Sequence, residues 1–259
     1  MEKQGTRTTL HPSPFTTMRH FIIAIQFLTI IPLPFSVRCE KEDLGHSTAL
    51  FPLAGLTIGA LLAALNWLIS PWLARSLCDA LLITALAVVT GALHLDGLAD
   101  VCDGLAARGS RERFLAVMKD SHVGAVGAVG LVLCLLLKWQ ALVAVPVDLK
   151  WQALLLFPIM GRFAMVLAMS GARHARDDGL GAAFIGGMSV RHLLAALVIT
   201  ILACLVPLPV KGMMALAIVC AITLIVKNYF QKRLGGLTGD IIGAVCELSE
   251  ILVLIAVSL

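Results

Sequence analysis

Long apolar runs alternate with short polar stretches along most of the chain. The clearest run, residues 47–70, contains no Asp, Glu, Lys or Arg, and a helix needs about 20 apolar residues to cross roughly 30 Å of hydrocarbon. The pattern therefore predicts an all-α fold, a polytopic integral membrane helical bundle of about seven spans. The predicted spans are residues 47–70, 77–95, 123–145, 151–171, 192–210, 212–230 and 240–259.

The first residues differ from the rest because they are polar and rich in Thr and Pro. We expect residues 1–18 to form a flexible N-terminal extension and residues 19–259 to form a single transmembrane helical domain. The apolar stretch 21–35 is interrupted by two prolines, and a full crossing would leave Arg19 on the side opposite to the basic loops. We therefore expect a re-entrant or interfacial N-terminal helix.

Composition and charge agree with a membrane protein. The chain is 59% hydrophobic and 14% charged, with a mean hydropathy of +0.94, whereas soluble domains are about half apolar and a quarter charged. The net charge of +4 does not indicate nucleic-acid binding, because the basic residues lie in short loops. The loops 104–122, 172–191 and 227–239 are expected on the cytoplasmic side. The seven cysteines form no C-x-x-C pair, so neither a disulfide framework nor a zinc site is indicated.

Three aspartates follow the second apolar run, in the stretch GALHLDGLADVCDGL. On a helix, Asp96, Asp100 and Asp103 share one face because they are spaced i, i+4 and i+7. Their repulsion would weaken a bare helix, and Mg²⁺, which prefers carboxylate oxygens and bridges them to substrate phosphates, would reverse that effect. The alternative is a solvated acidic face at a helix end. His94 is either a proton acceptor or a buried, hydrogen-bonded histidine.

Further polar candidates lie downstream of the aspartates. The stretch MKDSHVGAVG offers Asp120 as a metal ligand and Lys119 and Ser121 as phosphate contacts, although Lys119 equally suits an anchor at the membrane surface. Arg162 lies near the middle of an apolar run and needs an anionic partner, either a carboxylate or a ligand phosphate. Arg176 stands in a basic loop that could bind a phosphate from the cytoplasmic side.

A glycine-rich loop, LGGLTGD, leads into the last apolar run. Gly235, Gly236 and Thr238 form a predicted phosphate cradle at a helix N-terminus, with Thr238 as the cap. No G-K-[ST] follows, so this is not a nucleotide-binding P-loop. Asp240 and Glu247 are seven residues apart and therefore share one helical face, which we expect to point into the bundle.

Four blocks of the sequence resemble the cobalamin synthase family, whose members are adenosylcobinamide-GDP ribazoletransferases. The blocks are GALHLDGLADVCDGL, RFLAVMKDSHVGAVG, ARDDGLGAAFIG and RLGGLTGDIIGAVCELSE, and they match in order and spacing over nearly the whole chain after about residue 18. The resemblance implies a multi-pass protein of the bacterial cytoplasmic (inner) membrane that uses Mg²⁺, with its active site facing the cytoplasm. It also implies that α-ribazole, or its 5′-phosphate, is joined to adenosylcobinamide-GDP with release of GMP, the last assembly step of vitamin B12 synthesis.

This chemistry gives each candidate residue an expected role. Phosphoryl transfer depends on charge neutralisation and positioning, so the carboxylates are expected to hold Mg²⁺ and one of them, or a histidine, to take the proton of the attacking hydroxyl. The lipid bilayer is the expected partner and a homodimer is left open. The expected metal ligands are Asp96, Asp100, Asp103, Asp120, Asp240 and Glu247; the proton acceptors are Asp100, Asp103 or His94; the phosphate contacts are Lys119, Ser121, Arg162, Arg176, Gly235, Gly236 and Thr238.

Two other functions compete with this hypothesis. A CDP-alcohol phosphotransferase also carries spaced aspartates near a D-G-x-x-A block, but an arginine is expected there where this chain has Asp100. An ion-coupled transporter would use Asp, Glu and Arg along a pathway, but such proteins usually show repeated halves, and no internal repeat is visible in the sequence. A requirement for Mg²⁺ and the release of GMP distinguish the transferase from a transporter.

Overall fold

The computed structural model describes residues 14–33, 40–175 and 180–259. In that part of the chain every regular element is a helix, as predicted, and short 3₁₀ turns at Thr48–Leu50 and Val147–Leu149 precede two of the helices. The α-helices are α1 (Pro14–Leu28), α2 (Lys41–Ser47), α3 (Phe51–Ile69), α4 (Arg75–Val89), α5 (Leu93–Ala106), α6 (Arg111–Val117), α7 (Ala125–Ala144), α8 (Lys150–Met169), α9 (Leu180–Gly187), α10 (Val190–Leu205), α11 (Pro209–Leu234) and α12 (Gly239–Ser258).

Two pairs of helices in the described chain are candidates for broken membrane spans. Five helical segments of the described chain are long and apolar enough to cross a bilayer unaided. The pairs α4–α5 and α9–α10, bent by 89° and 98°, bring the number to seven if each pair counts as one span, which agrees with the predicted bundle. The expectation of one uninterrupted span over residues 77–95 is wrong, because the chain turns at Gly91 and Ala92, with φ angles of 59° and 54°.

Helix α8 lies at the centre of the bundle and is buried along nearly its whole length. It packs against α3, α10, α11 and α12. Glycines allow the closest of these contacts, since a Cβ at Gly55 would lie 2.5 Å from the carbonyl oxygen of Pro158, and one at Gly59 would lie 2.7 Å from that of Leu154. Small residues that let backbones approach are a common means of helix association in bilayers, so α3 and α8 form the frame for the other helices.

Helix α1 is shorter than a membrane span. Its 15 residues extend about 22 Å, less than the roughly 30 Å of a hydrocarbon core. The helix begins at Pro14, so residues 14–18, expected in the flexible extension, are helical, while residues 1–13 lie outside the described chain. Arg19 forms an ion pair with Asp43 of α2, so the cation that argued against a full crossing has an acidic partner beside α1.

Candidate active site

Helices α5 and α12 cross at a very short distance because a glycine stands at each contact. A Cβ at Gly97 would lie 2.8 Å from the Cα of Asp240, and one at Gly243 would lie 3.2 Å from the Cα of His94. A side chain at residue 97 would therefore displace the start of α12. This crossing sets the first turn of α5 against the first turn of α12. It therefore brings together the sequence blocks GALHLDGLADVCDGL and RLGGLTGDIIGAVCELSE, which lie far apart along the chain.

A cavity of about 260 Å³ lies beside this crossing. Its polar lining includes His94, Asp96, Thr238 and Asp240. The rest of the lining is mainly apolar and includes Phe27, Phe51, Leu93, Met165, Met169 and Phe184. The cavity therefore combines two carboxylates and a helix N-terminus with an aromatic surface.

The loop that enters α12 has the features of an anion site. Helix α11 ends at Leu234 and is capped by Gly235, whose φ of 75° is a left-handed conformation that favours glycine. Thr238 is the cap of α12, as expected, and its side-chain oxygen accepts a hydrogen bond from the Ile241 N–H at 3.3 Å. The first turn of a helix leaves backbone N–H groups without helical partners, and its positive dipole end favours phosphate oxygens.

An isolated β-bridge between His174 and Leu237 and the side chain of Arg111 hold this loop in place. The Leu237 N–H donates to the Arg173 carbonyl at 2.8 Å, and the Ala175 N–H donates to the Leu237 carbonyl at 3.0 Å. Arg111 of α6 donates to the carbonyls of Leu234 at 2.6 Å and Ala175 at 2.8 Å. Sequence reasoning missed this role of Arg111, because its partners are backbone carbonyls far away along the chain.

Asp103 has a structural role at the start of α7. Its Oδ2 accepts a hydrogen bond from the Gly124 N–H at 2.7 Å, and its Oδ1 accepts one from the Gly127 N–H at 2.8 Å. A Cβ at these glycines would lie 2.4 Å and 2.3 Å from a carboxylate oxygen of Asp103, so both glycines are needed for the contact. Asp103 therefore caps α7 from a neighbouring helix and is not part of the cavity lining. Asp100 lies half-buried between Asp96 and Asp103 on α5.

The turn between α6 and α7 is exposed and lies outside the cavity lining. Asp120 accepts a hydrogen bond from the His122 N–H at 3.1 Å and contacts the His122 Nδ1 at 2.7 Å. The hydrogen bond with the His122 side chain lowers the pKa of Asp120. Lys119 and Ser121 are also exposed, so the structure does not bring these three candidates to the cavity. Arg176 lies outside the described residues.

Four charged side chains meet in the interior of the bundle. The Lys138 Nζ lies 2.7 Å from the Glu247 Oε2 and also pairs with Glu250, which pairs in turn with Arg162. All four are buried, and two acids neutralise two bases, as charges at membrane depth require. Glu250 is thus the anionic partner that Arg162 needs. Neither Arg162 nor Glu247 lines the cavity, so the geometry gives no support to their expected contacts with phosphate and metal.

The donor set of the cavity suits a magnesium ion that is shared with a substrate. Mg²⁺ commonly binds one or two carboxylates together with substrate phosphates and keeps several waters, and Asp96 and Asp240 supply two carboxylates beside a helix N-terminus. Within the described ranges, no group of three or more His, Cys, Asp or Glu side chains forms a metal cage. Of the six expected ligands, Asp103, Asp120 and Glu247 have the other contacts described above.

The aromatic wall was not foreseen. Phe27, Phe51 and Phe184 belong to α1, α3 and α9, and an apolar side chain in an apolar helix carries no sign in the sequence that it faces a cavity. A phenylalanine that packs on lipid and one that lines a binding site follow the same hydrophobic pattern. Only the assembled bundle separates the two.

Comparison with known proteins connects this site to one family. The family model described as "Cobalamin-5-phosphate synthase" matches residues 20–258. A protein of Geotalea daltonii named adenosylcobinamide-GDP ribazoletransferase is 55% identical over 92% of this chain and 96% of its own length. Proteins of the same name from Acetivibrio thermocellus and Klebsiella pneumoniae are 34% and 35% identical over 92% of this chain and 96% and 99% of theirs. No solved structure matches the chain. The chain therefore belongs to the cobalamin-5-phosphate synthase family.

Proposed function

We propose that this protein is an adenosylcobinamide-GDP ribazoletransferase that requires Mg²⁺. Its relatives carry that name over nearly their full length, and family membership sets aside the lipid transferase and the transporter. A hydroxyl of α-ribazole, or of its 5′-phosphate, attacks the phosphorus attached to cobinamide. The pyrophosphate P–O bond breaks, GMP departs with the bonding electron pair, and a phosphodiester between ribazole and cobinamide remains.

The observation that carries this proposal is the pair of carboxylates that the crossing of α5 and α12 brings to one cavity, Asp96 from the first turn of α5 and Asp240 from the first turn of α12. Asp96 and Asp240 line one cavity with the Thr238 cap, so they can hold Mg²⁺ against the pyrophosphate while the helix N-terminus receives phosphate oxygens. A bound Mg²⁺ would neutralise the charge that develops on the phosphoryl oxygens. Gly235 lets the loop turn, with a φ of 75°, and Gly236 lets it pack on the neighbouring backbone, since a Cβ there would lie 2.3 Å from the His174 carbonyl carbon. Arg111 keeps that loop in position.

The proton of the attacking hydroxyl needs an acceptor near the metal site. The contacts of the three candidates do not separate them, since Asp100 and Asp103 lie outside the cavity lining and His94 is buried within it. Asp100 lies one helical turn beyond Asp96 on the same face of α5. We assign Asp100 as the acceptor, and full activity of an Asp100→Asn protein would exclude it.

The chain is a multi-pass membrane protein, and we place it in the bacterial cytoplasmic membrane with this site toward the cytoplasm. Support comes from the positive charge at the cavity end of the bundle. The segments that join α5 to α7 and α8 to α9, together with the last turn of α11, carry Arg108, Arg111, Arg113, Lys119, Arg173, Arg176, Lys232 and Arg233. Cytoplasmic loops of membrane proteins have this excess of positive charge. The lipid bilayer is then the solvent of the bundle, and a homodimer remains an expectation.

The test is GMP release by detergent-solubilised, lipid-supplemented protein given adenosylcobinamide-GDP, α-ribazole and Mg²⁺, with EDTA as the control. GMP formation should require both ribazole and metal. Asp96→Asn and Asp240→Asn should each lower kcat by about 10²-fold or more, the usual effect of removing a group that stabilises transition-state charge. Asp148→Asn, an exposed residue between α7 and α8, is the matched control. GMP release without ribazole, or full activity in both variants, would contradict the proposal.

A further inference from the structure

Three aromatic rings converge on the cavity from three different helices. The Phe184 ring centroid lies 4.4 Å from that of Phe27 and 5.6 Å from that of Phe51. Phe51 and Phe184 are fully buried, and Met165 and Met169 of α8 extend the same wall. Phe27 is the partly exposed member of the three, and a planar aromatic group that enters the cavity would extend this cluster at the distances that aromatic pairs prefer.

One buried polar atom of the cavity lining has no hydrogen-bond partner within the described chain. His94 is only 2% exposed, and its Nε2 has no hydrogen bond within the described chain, although the residue lines the cavity. An unsatisfied buried polar atom costs free energy, and most such atoms in native proteins are hydrogen-bonded. A ligand in the cavity that offers one matching polar atom would remove this cost.

We propose that the aromatic wall and His94 form the binding site for the benzimidazole base of the ribazole substrate. The assignment rests on the proposed function and adds which substrate occupies the cavity. The base packs against Phe184 and its neighbours, and its ring nitrogen that carries no sugar accepts a hydrogen bond from the His94 Nε2–H. Its ribose then points toward Asp96 and Asp240, where the hydroxyl meets the phosphorus.

The chemistry of the cavity favours this base over guanine. Benzimidazole has a hydrocarbon edge and one ring nitrogen that carries no sugar, which matches an apolar surface beside the unpartnered Nε2 of His94. Guanine carries several donors and acceptors that would each need a partner. The other polar groups of the cavity, Asp96, Asp240 and the Thr238 cap, are assigned above to the metal ion and the phosphates, so a guanine here would leave polar atoms unpaired, which is costly. The guanosine moiety of the second substrate is therefore held elsewhere, outside this wall.

The size of the cavity supports the same assignment. Its volume of about 260 Å³ is slightly below the roughly 300–1,000 Å³ of clefts that enclose drug-sized ligands. A bicyclic base fits such a space, whereas a corrin macrocycle does not. The corrinoid therefore stays outside the cavity and presents only its pyrophosphate to the two carboxylates.

The first test is equilibrium binding of α-ribazole and of guanosine to the solubilised full-length protein, without the second substrate. α-Ribazole should bind and guanosine should not displace it. Phe184→Leu should weaken α-ribazole binding by about tenfold, the range found for loss of a base-stacking aromatic ring. Phe230→Leu, which changes a buried ring of α11 outside the cavity, is the matched control and should leave binding unchanged.

The second test separates the hydrogen bond from packing. An indole riboside, in which the free ring nitrogen is replaced by carbon, should bind the unmodified protein about tenfold more weakly than the benzimidazole riboside. In a His94→Leu protein the two ligands should bind alike. Equal binding of both ligands to the unmodified protein, or displacement of α-ribazole by guanosine, would overturn the assignment.

These outcomes can be told apart from failure of the proposed function. If GMP release requires ribazole but its KM is unchanged in Phe184→Leu, the transferase proposal stands and the assigned base site is wrong. If the unmodified protein releases no GMP, the transferase proposal fails, and the direct binding comparison still decides what the cavity takes. Support for the site requires a raised KM for ribazole in Phe184→Leu with the KM for adenosylcobinamide-GDP unchanged.

Discussion

Replacing Glu250 by glutamine should destabilise the bundle more than any surface change. Glu250 is the shared acid of the buried network and pairs with both Lys138 and Arg162. The substitution keeps the shape of the side chain and removes its charge. Glu247 would then be the one acid facing two buried cations, and the network would carry an uncompensated positive charge. The Nε and one terminal nitrogen of Arg162 already lack hydrogen-bond partners in the described chain.

The expected cost is about 3–5 kcal/mol, because breaking a buried ion pair leaves an unpaired charge in a medium of low dielectric constant. Since 1.4 kcal/mol is a tenfold change in an equilibrium constant, the ratio of folded to unfolded protein should fall by roughly two to three and a half powers of ten. For a chain of this size the midpoint of thermal unfolding should drop by about 6–20 °C. Adding Arg162→Met restores a neutral pair of Lys138 and Glu247, so the double variant should recover part of the loss.

The assay is thermal unfolding in detergent, followed by the reaction of a thiol-specific dye. Cys134 and Cys246 are buried beside the network, so they become reactive when it opens. Glu112→Gln changes an exposed acid of α6 and should shift stability by less than about 0.5 kcal/mol. If Glu250→Gln unfolds within that same margin, the four charges do not form the cooperative unit inferred from their contacts.

Three further perturbations test other parts of the structure. Asp103→Asn keeps one acceptor oxygen where two are used, so the protein should lose about 1 kcal/mol of stability, measured by the same unfolding assay; unchanged stability would count against the cap. Gly97→Ala places a Cβ 2.8 Å from Asp240 and should cost about 1–3 kcal/mol together with most of the GMP release, and retained activity would contradict the close crossing. The His122 side chain lowers the pKa of Asp120 in the folded protein, so that contribution to stability is present above the unfolded pKa and lost as pH falls through the lower folded value. Asp120 lies outside the cavity lining, so Asp120→Asn should leave the pH profile of activity unchanged between pH 6 and 8. A shifted profile would show that Asp120 acts at the active site.

Part of the site was visible in the sequence because charges are rare in such an apolar chain. Asp96 and Asp240 stood out for that reason, and both line the cavity. The same signal also selected Glu247, which pairs with Lys138. A carboxylate that neutralises a buried cation and one that binds a metal ion look alike in sequence, since each is costly at membrane depth and needs a positive partner.

The amino-acid sequence by itself determined the helical membrane bundle and the family to which the chain belongs, because long apolar runs and local motifs are properties of neighbouring residues. Only the tertiary structure decided the break at Gly91 and Ala92, the close crossing at Gly97, and the pairing of Arg162 with Glu250. Those features depend on which distant segments pack together. Helix packing is set by the shape of whole surfaces, and the pattern along one helix does not reveal which surface it meets.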